Sequence, residues 1–241
     1  MFEKLLVDLE DSYLYPKIFF ITLLLVIGVG LFTKYVFNHP YILFSLTALG
    51  LSYPVISHLI KKEKQLLATR DTHSMALLLT KEAAVYLTIF FSLTAGFFLF
   101  FRTGFIQHTE VYDSLVPQIT GNFLAPDLFI QILLNNIGVA LLAFGLSVLL
   151  FSGFIFVLSW NASILAFYLS KLLTQEFFIL LFILPHLLFE ITGFILAGLA
   201  GNLFMYGFQY EKKNNRYIQT SIYILVLALV FVFIGAVLEV S

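Results

Sequence analysis

The sequence predicts an all-α fold, a polytopic transmembrane helical bundle of about seven spans. Three observations carry that prediction. Apolar stretches near twenty residues long recur along the whole chain, the length a helix needs to cross a bilayer. Charged residues make up 11% of the 241, against ~25% in an average soluble domain. The few basic residues fall mostly in alternate connections between the apolar stretches, as the positive-inside rule requires. A single apolar segment would fit an anchored soluble protein. Repetition places the whole chain in the lipid bilayer and leaves no soluble catalytic domain.

Residues 1–16 are expected to lie on the membrane as an amphipathic interfacial helix, because Phe2, Leu5, Leu6, Leu9 and Tyr13 recur at helical spacing. Glu3, Asp8, Glu10 and Asp11 make this end acidic, the opposite of the basic start of a cleavable signal peptide. Two N-terminal transmembrane helices occupy 17–60: one over 17–37, one over 41–60, joined through Asn38-His39-Pro40. Residues 61–82 form a cytoplasmic amphipathic segment carrying Leu66, Leu67, Met75, Leu78 and Leu79.

The core bundle, 83–241, holds the other five spans. The third covers 83–101. A polar loop broken by Pro117, Gly121 and Pro126 follows. The fourth covers 130–151 and the fifth 153–171, with only Ser152-Gly153 between them. The sixth covers 177–208 and is kinked or broken at Pro185, and the seventh covers 221–240. Re-entrant geometry at Ser152-Gly153 and at Pro185 is left open. The 29 phenylalanines are taken as lipid-facing bulk.

Basic residues then set the orientation. With a cytoplasmic N-terminus, Lys4, Lys17, Lys61, Lys62, Lys64, Arg70, Lys81, Lys212, Lys213 and Arg216 fall inside. Only Lys34, Arg102 and Lys171 fall outside. The expectation is a multi-pass protein of the cell membrane with its C-terminus outside.

Composition also excludes classes. A net charge of -1 gives no support for nucleic acid as a partner. The absence of cysteine rules out disulfides, thiolate metal sites and thiol catalysis. No Gly-rich phosphate loop and no Ser/His/Asp motif is present. No cofactor, metal site or catalytic residue is expected, and the chain is not expected to be an enzyme.

The polar residues inside the apolar stretches are the candidate site. A charged group at the bilayer centre costs on the order of 2.5–3.5 kcal/mol on insertion scales, so it is kept where neighbours satisfy it or where it acts. In the sixth span Pro185 deprives the carbonyl of Leu181 of its helical partner. His186 and Glu190 stand four apart on one face, and Gly193, Ala197 and Gly201 continue that face. Gly198 joins the same small-residue group, which allows close helix approach. Two readings of the His186–Glu190 pair stand: a titratable or ligand-binding pair in a cavity, or a hydrogen-bonded lock between helices. Two ligands are too few for zinc.

Asn161, within Trp160-Asn161-Ala162-Ser163, is expected deep in the fifth span, where its match to a glycosylation sequon is accidental. It is expected to bond across to the His186–Glu190 stripe as glue between helices, with contact to a ligand as the other reading. Asn135 and Asn136 open the fourth span, as packing residues or, in a second reading, as ligand groups. There Asn135, Gly138, Leu142, Gly145, Leu149 and Ser152 share a face taken as the packing surface toward the fifth and sixth spans. His39, His58, His73 and His108 are assigned to loops and span ends, and Glu239 to the interface as a simple carboxylate.

In order, Leu134-Asn135-Asn136, Ser159-Trp160-Asn161-Ala162-Ser163, Leu184-Pro185-His186 with Glu190, and Ala197-Gly198-Leu199-Ala200-Gly201 resemble the stage II sporulation protein M family. Gly235-Ala236-Val237-Leu238-Glu239-Val240 is similar to the close of its archaeal members. The resemblance covers about 122 to the end. Leu187 stands where the family usually has glycine after Pro-His, and Ala166 where it often has glycine. The resemblance implies an integral membrane subunit that organises partners and is not itself a hydrolase. Two functions are carried forward: a non-enzymatic scaffold or subunit of an envelope-associated membrane complex, and a transporter, channel or lipid-handling protein with a polar cavity around His186 and Glu190. Membrane or envelope proteins are the expected partners. A homodimer through the small-residue faces is left open.

Overall fold

Every regular element of the computed structural model is an α-helix among the residues it describes, which are 14–36, 47, 72–103, 126–150, 153–172, 179–210 and 216–240. These are α1 (Leu14–Val36), α2 (Thr72–Arg102), α3 (Pro126–Leu150), α4 (Ile155–Leu172), α5 (Ile179–Tyr210) and α6 (Arg216–Val240). Five contain stretches long and apolar enough to cross a membrane: Tyr15–Thr33, Leu79–Arg102, Phe129–Leu150, Leu184–Phe208 and Arg216–Val240. The apolar part of α4, Ile155–Ser170, is shorter. Six of the seven expected spans therefore fall on helices. Of the expected second span, 41–60, only residue 47 is described, and 1–13 of the expected interfacial helix and 61–71 of the expected cytoplasmic segment lie outside the described residues. Residues 72–82 of that segment are the first turns of α2, continuous with the third span.

Helix directions can be read from the contacts. Val26 seats on Gly96 and the ring of Phe100 on Gly30, while the hydroxyl of Ser92 donates to the carbonyl oxygen of Phe19 at 2.6 Å. Positions on α1 and α2 rise together, so the two helices are parallel. Tyr86 meets Phe154 with ring centroids 4.5 Å apart, and Phe101 meets Phe167 at 5.3 Å. Thus α4 runs parallel to α2.

The second group is α3, α5 and α6. Gly201 of α5 lies against the carbonyl of Phe144 and the side chain of Ser147, and Phe144 and Phe204 pack edge-on at 5.8 Å. With Asn136 of α3 bonded to Glu190 of α5 lower on both helices, those contacts make α3 and α5 parallel. Gly193 faces Val232, the Ser221 hydroxyl donates to the Ala200 carbonyl at 2.7 Å, and Tyr206 packs on Tyr217 at 5.5 Å. Residue numbers fall on α6 as they rise on α5, so this pair is antiparallel.

Phe154 joins the two groups: its fully buried ring sits over Gly198 of α5 as well as against Tyr86 of α2. The turn between α3 and α4 is correspondingly tight, with Gly153 pressed on the Leu146 carbonyl. Gly153, Phe154 and Ile155 are all buried. Gly198 lies ten residues, about 15 Å of helix, before Phe208. Phe154 is therefore inside the bundle rather than level with the end of α5.

Three expectations need correcting. Of the two alternatives for the expected sixth span, kinked or broken at Pro185, the break is absent: α5 runs without interruption from Ile179 through Pro185 to Tyr210. A proline in the second turn costs one intrahelical hydrogen bond, and the rest of the helix continues past it. The phenylalanines are not only lipid-facing, since Phe90, Phe97, Phe154, Phe167 and Phe194 are among the largest fully buried side chains. Phe154, for one, fills the space beside a glycine that lacks a side chain of its own. Lastly, the packing face of α3 is rotated from the expected one. Asn136, Ala140, Ala143 and Ser147 are buried, whereas Leu142 and Leu149 are exposed. Gly138 and Gly145 face open space, with nothing within 4 Å of where a Cβ would stand. An apolar helix in lipid carries no polar face to mark its outside, so neighbouring stripes are hard to tell apart by composition.

Candidate functional site

One end of the α3, α5 and α6 group brings together the polar residues of three helices. Asn136 is the eighth residue of the Phe129–Leu150 stretch, about 10 Å along the helix from Phe129. Its amide Nδ2 donates to Oε1 of Glu190 at 2.5 Å. That oxygen belongs to a residue six positions into the Leu184–Phe208 stretch, about 9 Å from Leu184. The neighbouring Asn135 donates to Oδ1 of Asn136 at 3.3 Å, which leaves the Asn136 amide oriented toward α5. The third participant is Glu239, whose carboxyl group is within side-chain hydrogen-bonding reach of Glu190.

Glycine sets this geometry. Gly235 stands one turn before Glu239 on α6, and a Cβ there would lie 2.6 Å from Cγ of Glu190 and 3.3 Å from the His186 carbonyl oxygen. With no side chain at 235, the stem of Glu190 lies across α6 and its head reaches Glu239 one turn on. Asn136 closes the other side. Asn136 is almost fully buried, and Glu190 and Glu239 are half-buried. Such an arrangement has few chemical uses: it holds protons and amide hydrogens, and it ties three helices at one level. No group of three or more His, Asp or Glu residues is placed to hold a metal ion among the described residues.

The expected site is thus only partly assembled as the sequence implied. Glu190, Asn136 and Asn135 come together. His186 is half-buried one turn before Glu190 and touches α6 through its carbonyl. Asn161 does not reach this group, because its amide donates to the Val157 carbonyl of its own helix at 2.8 Å. Since α4 packs mainly along α2, Asn161 is carried away from the α3–α5–α6 junction, and an intrahelical bond satisfies it. Gly193, Gly198 and Gly201 lie at close approaches to α6, Phe154 and α3 respectively, and Ala197 is fully buried. Gly138 and Gly145 lie at none.

Other polar residues are not singled out by sequence reasoning. Glu239 reads as an ordinary interfacial carboxylate, and only the glycine four residues earlier hints at a helix seated against it. Glu82 is expected in a cytoplasmic segment, yet it is 1% exposed on α2, one turn before Tyr86. Its flanking Ala83, Ala84 and Val85 are the available signal. Asn202, 2% exposed, follows Gly198 by one turn of α5.

A model of the family described as Stage II sporulation protein M matches residues 70–241, well over half of the chain. The chain belongs to the stage II sporulation protein M family. The matched region of this family member begins at the start of α2, one span earlier than the motifs alone indicate, and takes in all of α2 to α6. It therefore includes the α2–α4 pair, the α3–α5–α6 junction and Asn136, Glu190 and Glu239, and leaves out α1. No match was found among curated proteins or solved structures.

Proposed function

We propose that this integral membrane protein is a non-enzymatic scaffold, a subunit of a larger assembly in the cell envelope. The observation that carries the reading is the use of its intramembrane polar groups on one another. Asn136 bonds to Glu190, Glu239 lies beside Glu190, and Gly193, Gly201 and Gly235 bring the three helices together around them. In such an arrangement polar residues act as glue between helices rather than as a reaction centre. Broad apolar surfaces stay outside it: Tyr223, Val226, Val230 and Phe233 of α6 are exposed, available to lipid and to a partner helix alike. The sporulation stage in the family's description is not carried over to this chain.

The basic-residue pattern favours a cytoplasmic N-terminus, with the polar junction toward the outer face, where an envelope partner would be met. A transport role is the second reading, since two carboxyl groups on membrane helices also suit proton or cation passage. In-membrane crosslinking of the tagged chain, with mass spectrometry of what co-purifies, tests the first. A reproducible partner near one-to-one supports the scaffold. Recovery of the chain alone, followed by flux in liposomes, would contradict it in favour of transport.

A further inference from the structure

We infer that Glu190 and Glu239 form a protonation-controlled clasp that sets how firmly α5 and α6 close at this end of the bundle. The inference rests on packing. The stem of Glu190 is trapped over Gly235, and Asn136 holds its head from α3. These two contacts hold the carboxyl group on the side of α6 that carries Glu239. Two carboxyl groups in hydrogen-bonding reach need one proton between them: the protonated group donates its O–H to the other, which accepts as a carboxylate. Loss of that proton to water leaves two negative charges facing each other at short range, and like charges side by side are destabilising. Separation of α5 from α6 is the relief left open.

The surroundings supply the other titratable and polar groups that face the pair. From α3 these are Asn136 and Asn135, which stay neutral. On α5, His186 stands one turn before Glu190. From α4, Tyr168 lies within electrostatic reach of Glu239. Among the described residues, these are the amides, the imidazole and the phenol nearest the pair in the fold. An opening at this end would move the exposed face of α6, the surface on which the scaffold reading relies. The clasp itself is independent of that reading, because its test needs no partner.

The test is thermal unfolding of the purified full-length chain in detergent across a pH series. The wild type is expected to lose melting temperature as pH rises, because the shared proton is lost. Glu190→Gln and Glu239→Gln put an uncharged amide donor in place of a protonated carboxyl, so each is expected to flatten that dependence. An unchanged slope in both variants, or no slope in the wild type, would overturn the clasp. Should Glu190→Gln fail to fold, Glu239→Gln at the helix end carries the same comparison. Infrared spectroscopy of the wild type gives a separate readout: a carboxylic-acid carbonyl band that vanishes over the pH range of the destabilisation supports the clasp, and its absence at every pH overturns it.

Discussion

Single residues decide whether helices in this protein can touch. Gly198 receives the ring of Phe154, a contact that joins the α2–α4 pair to α5 through a fully buried aromatic. Gly198→Leu would force that ring out, and overpacking of this kind costs about 1–3 kcal/mol or more. The expected outcome is a lower melting temperature in detergent, and a retained one would place Gly198 elsewhere. Gly138→Leu is the matching control: with open space beside it, the change should stay within about 0.5 kcal/mol of the wild type. Asn136→Ala removes the amide that bonds to Glu190, at a cost of about 1–3 kcal/mol for a polar group left without its donor. At this scale the sequence is legible where cost marks a residue. A carboxylate and an asparagine in hydrocarbon stand out, which is why Glu190 and Asn136 can be recognised. The places of Glu239 and Glu82 inside the bundle are not legible, because both sit at the ends of apolar stretches, where an interfacial carboxylate costs little.

At the scale of helices, register is carried by small residues and hydroxyls rather than by apolar patterning. Ser221 on the Ala200 carbonyl and Ser92 on the Phe19 carbonyl each link two helices through a side-chain donor. Ser221→Ala is expected to cost about 0.6 kcal/mol, the average for such bonds between membrane helices, measurable as a small fall in melting temperature. An effect of several kcal/mol would mean that Ser221 does more than hold register. Helix existence is readable from length and composition, and six of the expected spans coincide with α1 to α6. The rotation of α3 is not. Its Asn135–Gly138–Gly145 stripe and its Asn136–Ala140–Ala143–Ser147 stripe are equally small and nearly equally polar. The choice between them comes from neighbours: Phe144 and Ser147 meet Gly201, and Asn136 meets Glu190. Likewise Asn161 can be placed in the fifth span but not aimed, since an intrahelical carbonyl competes with any partner across the bundle.

Across the whole molecule, two groups of helices meet at Phe154, and the polar junction belongs to only one of them. The parallel run of α1 and α2 puts the end of α1 and the start of α2 at opposite ends of the pair. Single cysteines introduced into this cysteine-free chain and labelled from each side of the membrane would check the arrangement. Positions 14 and 72 are expected on one side, and positions 36 and 103 on the other. Overall class is legible because a bilayer allows few solutions to backbone hydrogen bonding, and long apolar stretches declare the helical one. Tertiary contacts are less so, because in lipid the inside and outside of a bundle are both apolar. The central claim is the meeting of α5 and α6 at Glu190 and Glu239. Its most direct test is crosslinking of Glu190→Cys/Glu239→Cys in native membranes with a short bifunctional thiol reagent. The account predicts an efficient crosslink within a single chain. No intrachain product, or crosslinks only between chains, would contradict it.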